Sequence, residues 1–64
     1  MTFFDASENG DVKEVRRLID TGADVNAKNG YYYTALIYAS QNGHIDIVKL
    51  LIDAGADVNA KDGY

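Results

Sequence analysis

The segment TGADVNAKNGY, Thr21 to Tyr31, returns as AGADVNAKDGY, Ala54 to Tyr64. Gly22 and Gly55 set the offset at 33 residues. Carried back to Gly10 and Gly43, it gives identity at fourteen of twenty-two aligned positions, including Val15/Val48, Leu18/Leu51, Ile19/Ile52 and Asp20/Asp53. A fixed period of this length marks a stack of supersecondary units, each unable to bury its apolar side alone.

Within one period the local signals place two short helices. Thr34 can N-cap a helix over Ala35 to Asn42, ended by Gly43, which reaches the left-handed conformation cheaply. A second helix is expected from Ile45 to Ala54, apolar at Ile45, Ile47, Val48, Leu50, Leu51 and Ile52 and stopped at Gly55. Its counterpart in the first period starts where Asp11 and Glu14 stand at capping-box spacing ahead of Val15, Leu18 and Ile19. Asn29-Gly30 and Asp62-Gly63 favour tight reversals. The tyrosines that follow the first of these favour extended structure.

These features resemble the ankyrin repeat family, through the 33-residue spacing, the run NGHIDIVKLLIDAGADVNAK from Asn42 to Lys61, and the returning GADVNAK. The resemblance implies a mainly α, helix-turn-helix solenoid fragment with a short β-hairpin arm. In one domain over 1–64 it implies an N-terminal cap-like repeat at 1–28, a full repeat at 29–61 and the start of a truncated third at 62–64. Two departures stand out. Where the family usually has Thr-Pro-Leu-His, this chain has Thr34-Ala35-Leu36-Ile37, without the proline whose fixed φ suits a first helical turn. The family's turn glycine falls on Tyr32 and the nearest glycine is Gly30, so by the resemblance the tip of the hairpin is expected to move to Asn29-Gly30, which puts its register in question.

Composition bounds the function. The chain has 64 residues, enough for one small domain, and contains no cysteine and a single histidine, so neither a disulfide nor a Cys/His zinc site can reinforce it. Ten acidic residues against six basic ones, a net charge of −4, argue against a partner held by phosphate neutralisation, so no nucleic-acid partner is expected. No apolar run approaches the length of about 18 residues that spans a bilayer, and the opening MTFFDASENGD lacks a signal-peptide pattern. No membrane association and no cofactor are expected, and the location expected is intracellular, in the cytoplasm.

The two second helices differ at the faces they offer. Glu14 and Arg17 of the first are Ile47 and Leu50 in the second, the contrast between a water-facing terminal cap and an internal repeat. Val48, Leu51 and Ile52 repeat Val15, Leu18 and Ile19, and no later repeat is there to cover them, so an open C-terminal face is expected to self-associate. Another copy, exchanged segments or repeats of a longer parent would serve as its cover.

By the resemblance, the hairpin tips and the exposed side of the first helix form a partner-binding surface. That places Tyr31, Tyr33, Gln41 and Asn42 at binding positions, with Lys28, Lys61 and Tyr64 at related ones, and the partner is expected to be a protein. Tyrosine suits such a role through its large contact area and polar tip, although Tyr31 to Tyr33 also suit an extended arm. Tyr32 is expected to alter the turn or pack against it, and Tyr38 to be a partly buried contact between repeats. His44 and Asp46 are two apart, but two ligands do not make a metal site, and histidine is common at this family position. Ser7 and Ser40 lack the partners of a nucleophile. Asp20, Asp24, Asp53 and Asp57 recur with the period and suit turns better than a catalytic pair, and Phe3 suits the core. The expectation is a non-enzymatic interaction module, with a minimal oligomerising repeat unit as the alternative.

Overall fold

The computed structural model describes residues 2–59, which form four helices, α1 (Phe3–Asn9), α2 (Val12–Asp20), α3 (Ala35–Gln41) and α4 (Ile45–Asp53). The helices follow from their ends. Thr2 and Asp5 form a reciprocal capping box at α1, Asp11 accepts the Glu14 N–H at 3.1 Å to start α2, and Thr34 accepts the Ile37 N–H at 3.2 Å to start α3. Gly10 ends α1 in the left-handed region, and Gly22 and Gly55 follow α2 and α4 with positive φ. The two predicted helices of the second period end one residue earlier than expected.

Each pair folds back on itself, α1 on α2 and α3 on α4. The pairs then stack, α3 against α1 and α4 against α2. The core lies between them: Ala6, Val15, Val25, Ala35, Leu36, Ala39, Ile47 and Leu51 are buried, with Phe3, Val12, Ile19, Val48 and Leu50 partly buried against them. Where α4 sets Ile47 and Leu50 into this layer, α2 carries a bidentate ion pair, Arg17 Nε to Glu14 Oε1 at 2.7 Å and Nη2 to Oε2 at 2.9 Å. The hydrogen bonds from Arg17 hold the Glu14 carboxyl below the usual carboxylate range.

Among the described residues, two side chains join the pairs by hydrogen bonds. Asn26 reaches from the loop after α2 to the matching loop after α4, donating from Nδ2 to the Gly55 carbonyl at 3.1 Å and accepting the Asp57 N–H on Oδ1 at 2.6 Å. His44 precedes α4 but gives that helix no side-chain cap. Its Nε2 lies 2.9 Å from the Glu8 carbonyl in the last turn of α1, and because a carbonyl only accepts, this nitrogen carries the proton. At the aligned position Asp11 caps its own helix, so the second period exchanges a local cap for a bond across the stack.

The expected β-hairpin arm does not form: among the described residues there is no strand. Asn29 to Tyr33 is a closed turn, with the Tyr32 N–H donating to the Asn29 carbonyl and the Asn29 N–H donating to the Tyr33 carbonyl, both at 3.0 Å. A side chain does the work of a ladder, since Asn29 Oδ1 accepts the N–H groups of Tyr31 and Tyr33 at 2.9 and 3.1 Å. Nor does the tip shift to make room for the missing glycine. Tyr32 stays in the glycine slot and takes φ 64°, the one positive-φ residue other than glycine among those described.

Two outcomes follow from these backbone positions. Tyr32→Gly is expected to raise the unfolding free energy by about 0.5–1 kcal/mol in denaturant melts, the relief of left-handed strain less the added freedom of the unfolded chain. Gly10→Ala is expected to cost at least about 1–2 kcal/mol, because φ is +79° and the new Cβ would sit 2.8 Å from the His44 ring. His44→Ala in that background should recover the steric part alone, so a double-mutant cycle checks the contact.

Candidate interaction surface

The loop that presents the tyrosines is built from both ends. After α2, Asp24 Oδ1 accepts the Asn26 N–H at 2.9 Å and the Asp24 carbonyl accepts the Ala27 N–H at 3.1 Å, turning the chain toward the tip. Asp57 holds the Asn59 N–H in the same way at 2.9 Å, so the recurrent aspartates there are turn residues. At the far end Thr34, itself buried, launches α3. Between them Asn29 is anchored from below by Tyr38, whose hydroxyl accepts from Nδ2 at 2.7 Å.

Tyr38 is half-buried and ties this anchor to both helix pairs. Its ring lies 6.2 Å from Phe4 of α1 in an edge arrangement and 5.2 Å from Tyr33, tilted by 55°. Tyr33 is accordingly half-buried, with one side committed to Tyr38. Tyr31 is 76% exposed and Tyr32 62%. Tyr32, expected to alter the turn or pack against it, thus stands on the surface. The signal available was its place in a glycine slot, where a left-handed backbone turns the side chain out of the turn instead of into the core.

Gln41 and Asn42 are exposed at the opposite end of α3 from the tip. A helix of this length is roughly 10 Å long, so they do not join Tyr31 in one compact patch. Asn42 is partly committed, its Nδ2 donating to the Tyr38 carbonyl at 2.8 Å. Lys28 is exposed on the approach to the tip. Lys61 and Tyr64 lie outside the described residues, as does the Asp62-Gly63 reversal.

The predicted apolar face needs one correction. Leu51 is fully buried by the chain's own residues and cannot be offered to a partner; Val48 is half-buried, and Ile52 is exposed. Ile45 and Val58 are exposed as well, and the repetition of Val15, Leu18 and Ile19 does not point to either. The aligned residues tell why. Val15 is buried where Val48 is half-buried, and Val25 is 9% exposed where Val58 is 60%. Ser7, fully buried with its hydroxyl donating to the Phe3 carbonyl at 2.9 Å, corresponds to the exposed Ser40. The side of α1 and α2 that the next helix pair covers is thus repeated, uncovered, on α3 and α4.

No catalytic constellation is assembled among the described residues. His44 is committed to the Glu8 carbonyl, Ser7 to the Phe3 carbonyl, and no group of three or more His, Cys, Asp or Glu could hold a metal. A groove between α2 and α4 is lined by Val12, Arg16, Asp46, Lys49, Leu50 and Asp53, charges of both signs, and every buried side-chain polar atom described has a hydrogen-bond partner. No described helix is long and apolar enough to cross a membrane.

No curated protein matches the chain. A family model described as ankyrin repeats in three copies matches residues 2–62, nearly the whole length. With helix pairs stacked through side chains that recur at the 33-residue period, the chain belongs to the ankyrin repeat family.

Proposed function

We propose that this chain is a non-catalytic module that captures a protein partner on its tyrosine tip and the exposed side of α3, and that its open C-terminal face self-associates. Ankyrin repeats are in general protein-interaction modules, and the family supports the first half at that level. One observation carries the finer reading: Tyr31 is 76% exposed on a turn whose Asn29 side chain makes three hydrogen bonds. A large aromatic surface held in place gives up little entropy on binding.

On this reading Tyr31 is the anchor and Tyr33 supplies its free edge. Tyr32 adds contact area beside it. Gln41 and Asn42 contribute polar contacts to a partner long enough to run along α3. Lys61 and Tyr64 stand one period after Lys28 and Tyr31 in the sequence and join the proposed contacts on that ground alone. The second part rests on Val48 and Ile52, flanked by Ile45 and Val58. These are positions whose counterparts in the first helix pair are sheltered by the second, so water meets apolar surface of the kind that association removes.

Two measurements test the two surfaces separately. Once a protein ligand has been selected against the folded chain, Tyr31→Ala with Tyr33→Ala is expected to weaken it by at least about tenfold in calorimetry, a loss typical of buried aromatic anchors. Undiminished affinity would remove the tip from the interface. In light scattering, the unsubstituted chain is expected to run above the mass of one copy, and Val48→Glu with Ile52→Glu to return it to that mass. A folded monomer before any substitution would overturn self-association while leaving the tip untouched.

A further inference from the structure

The chain holds three Asn-Gly pairs among its described residues, Asn9-Gly10, Asn29-Gly30 and Asn42-Gly43. Asparagine followed by glycine is chemically labile, because a glycine nitrogen, unhindered by a Cβ, can reach the preceding side-chain carbonyl carbon. The fold treats the three nitrogens differently. The Gly10 N–H donates to the Ala6 carbonyl at the end of α1, and the Gly43 N–H donates to the Ser40 carbonyl at 3.2 Å. Both are tied into helix ends. The Gly30 N–H makes no hydrogen bond among the described residues, and a Cβ placed on Gly30 would meet nothing within 4 Å.

The electrophile is also distinctive at the middle pair. Asn29 Oδ1 accepts two backbone N–H groups, from Tyr31 and Tyr33 at 2.9 and 3.1 Å, which draw electron density from Cγ in the sense of an oxyanion hole. Against this, Nδ2 is held by the Tyr38 hydroxyl at 2.7 Å, which restrains the rotation the side chain needs before attack.

We propose that Asn29-Gly30 is a self-modification site of the folded chain, converting through a cyclic imide, with Tyr38 as the latch that sets its rate. The Gly30 nitrogen forms a bond to Asn29 Cγ and gives up its proton, while the Cγ–Nδ2 bond breaks and the nitrogen leaves as ammonia. Water then opens the ring at either carbonyl, leaving aspartate or its isomer with the main chain running through the side chain. Either product puts a negative charge in the turn that carries Tyr31 and Tyr32, and the isomer adds a backbone methylene there. The conversion acts on the tip whether or not that tip binds a partner.

The test is to age the intact chain at mildly alkaline pH, folded and in denaturant, and to follow the three pairs by peptide mass mapping. Conversion at Asn29 is expected to lead Asn9 and Asn42 several-fold in the folded chain, and the three rates to converge in denaturant. Tyr38→Phe, which keeps the ring and removes the hydroxyl, is expected to speed Asn29 several-fold and leave the other two unchanged. Equal rates in the folded chain, or a lead for Asn9 or Asn42, would overturn the proposal. So would an unchanged Asn29 rate in a Tyr38→Phe variant that circular dichroism shows to be folded. If that variant unfolds, the native and denatured rates of the unsubstituted chain decide.

Discussion

A pair of helices as short as α1 and α2 has an apolar side that it cannot fold onto itself, and everything else in this structure answers that constraint. Val15 and Val25 are buried beneath α3 and α4, whereas their counterparts Val48 and Val58 one period later are half-buried and exposed. Packing alone would let two such layers slide. Asn26 prevents this by binding a carbonyl and an N–H of the neighbouring loop with one amide, a bidentate contact that accepts a single register. His44 acts at the other end of the helices, closing on the last turn of α1, where Gly10 leaves room for the ring.

Much of this was legible because it is local. Thr34, Asp11 and the glycines after each helix state their roles within four residues, and the 33-residue period carries the rest. What was not legible depends on groups distant in sequence or on competition between two local preferences. Tyrosines after Asn-Gly suggest an extended arm, yet the Asn29 side chain outbids a ladder by satisfying two N–H groups itself. Analogy with Leu18 puts Leu51 on the open face. The stripe of α4 is broad, however, and its Leu51 edge turns into the chain's own core. The choice of His44 between capping its own helix and reaching Glu8 is visible only once α1 stands 36 positions away in sequence and beside it in space.

The surface itself is organised from the inside. Tyr38 belongs to the packing, as its position suggests, but its hydroxyl also fixes Asn29 and its ring bears on Phe4 and Tyr33. The exposed pair Tyr31 and Tyr32 therefore rests on a connected set of contacts that begins in α1. The left-handed backbone at Tyr32 is tolerated because this set over-determines the turn.

The Asn26 clamp has a consequence for how such chains lengthen. Both its amide and the backbone it grips lie within the copied segment GADVNAK, and Asn59 already stands in the corresponding place with its loop turned by Asp57 in the same way. A tandem duplication of one 33-residue unit would therefore inherit fastener and socket together, and each new joint would arrive in register without a compensating change elsewhere. Length in this architecture can be gained by copying, with the geometry of the joint carried in the copy.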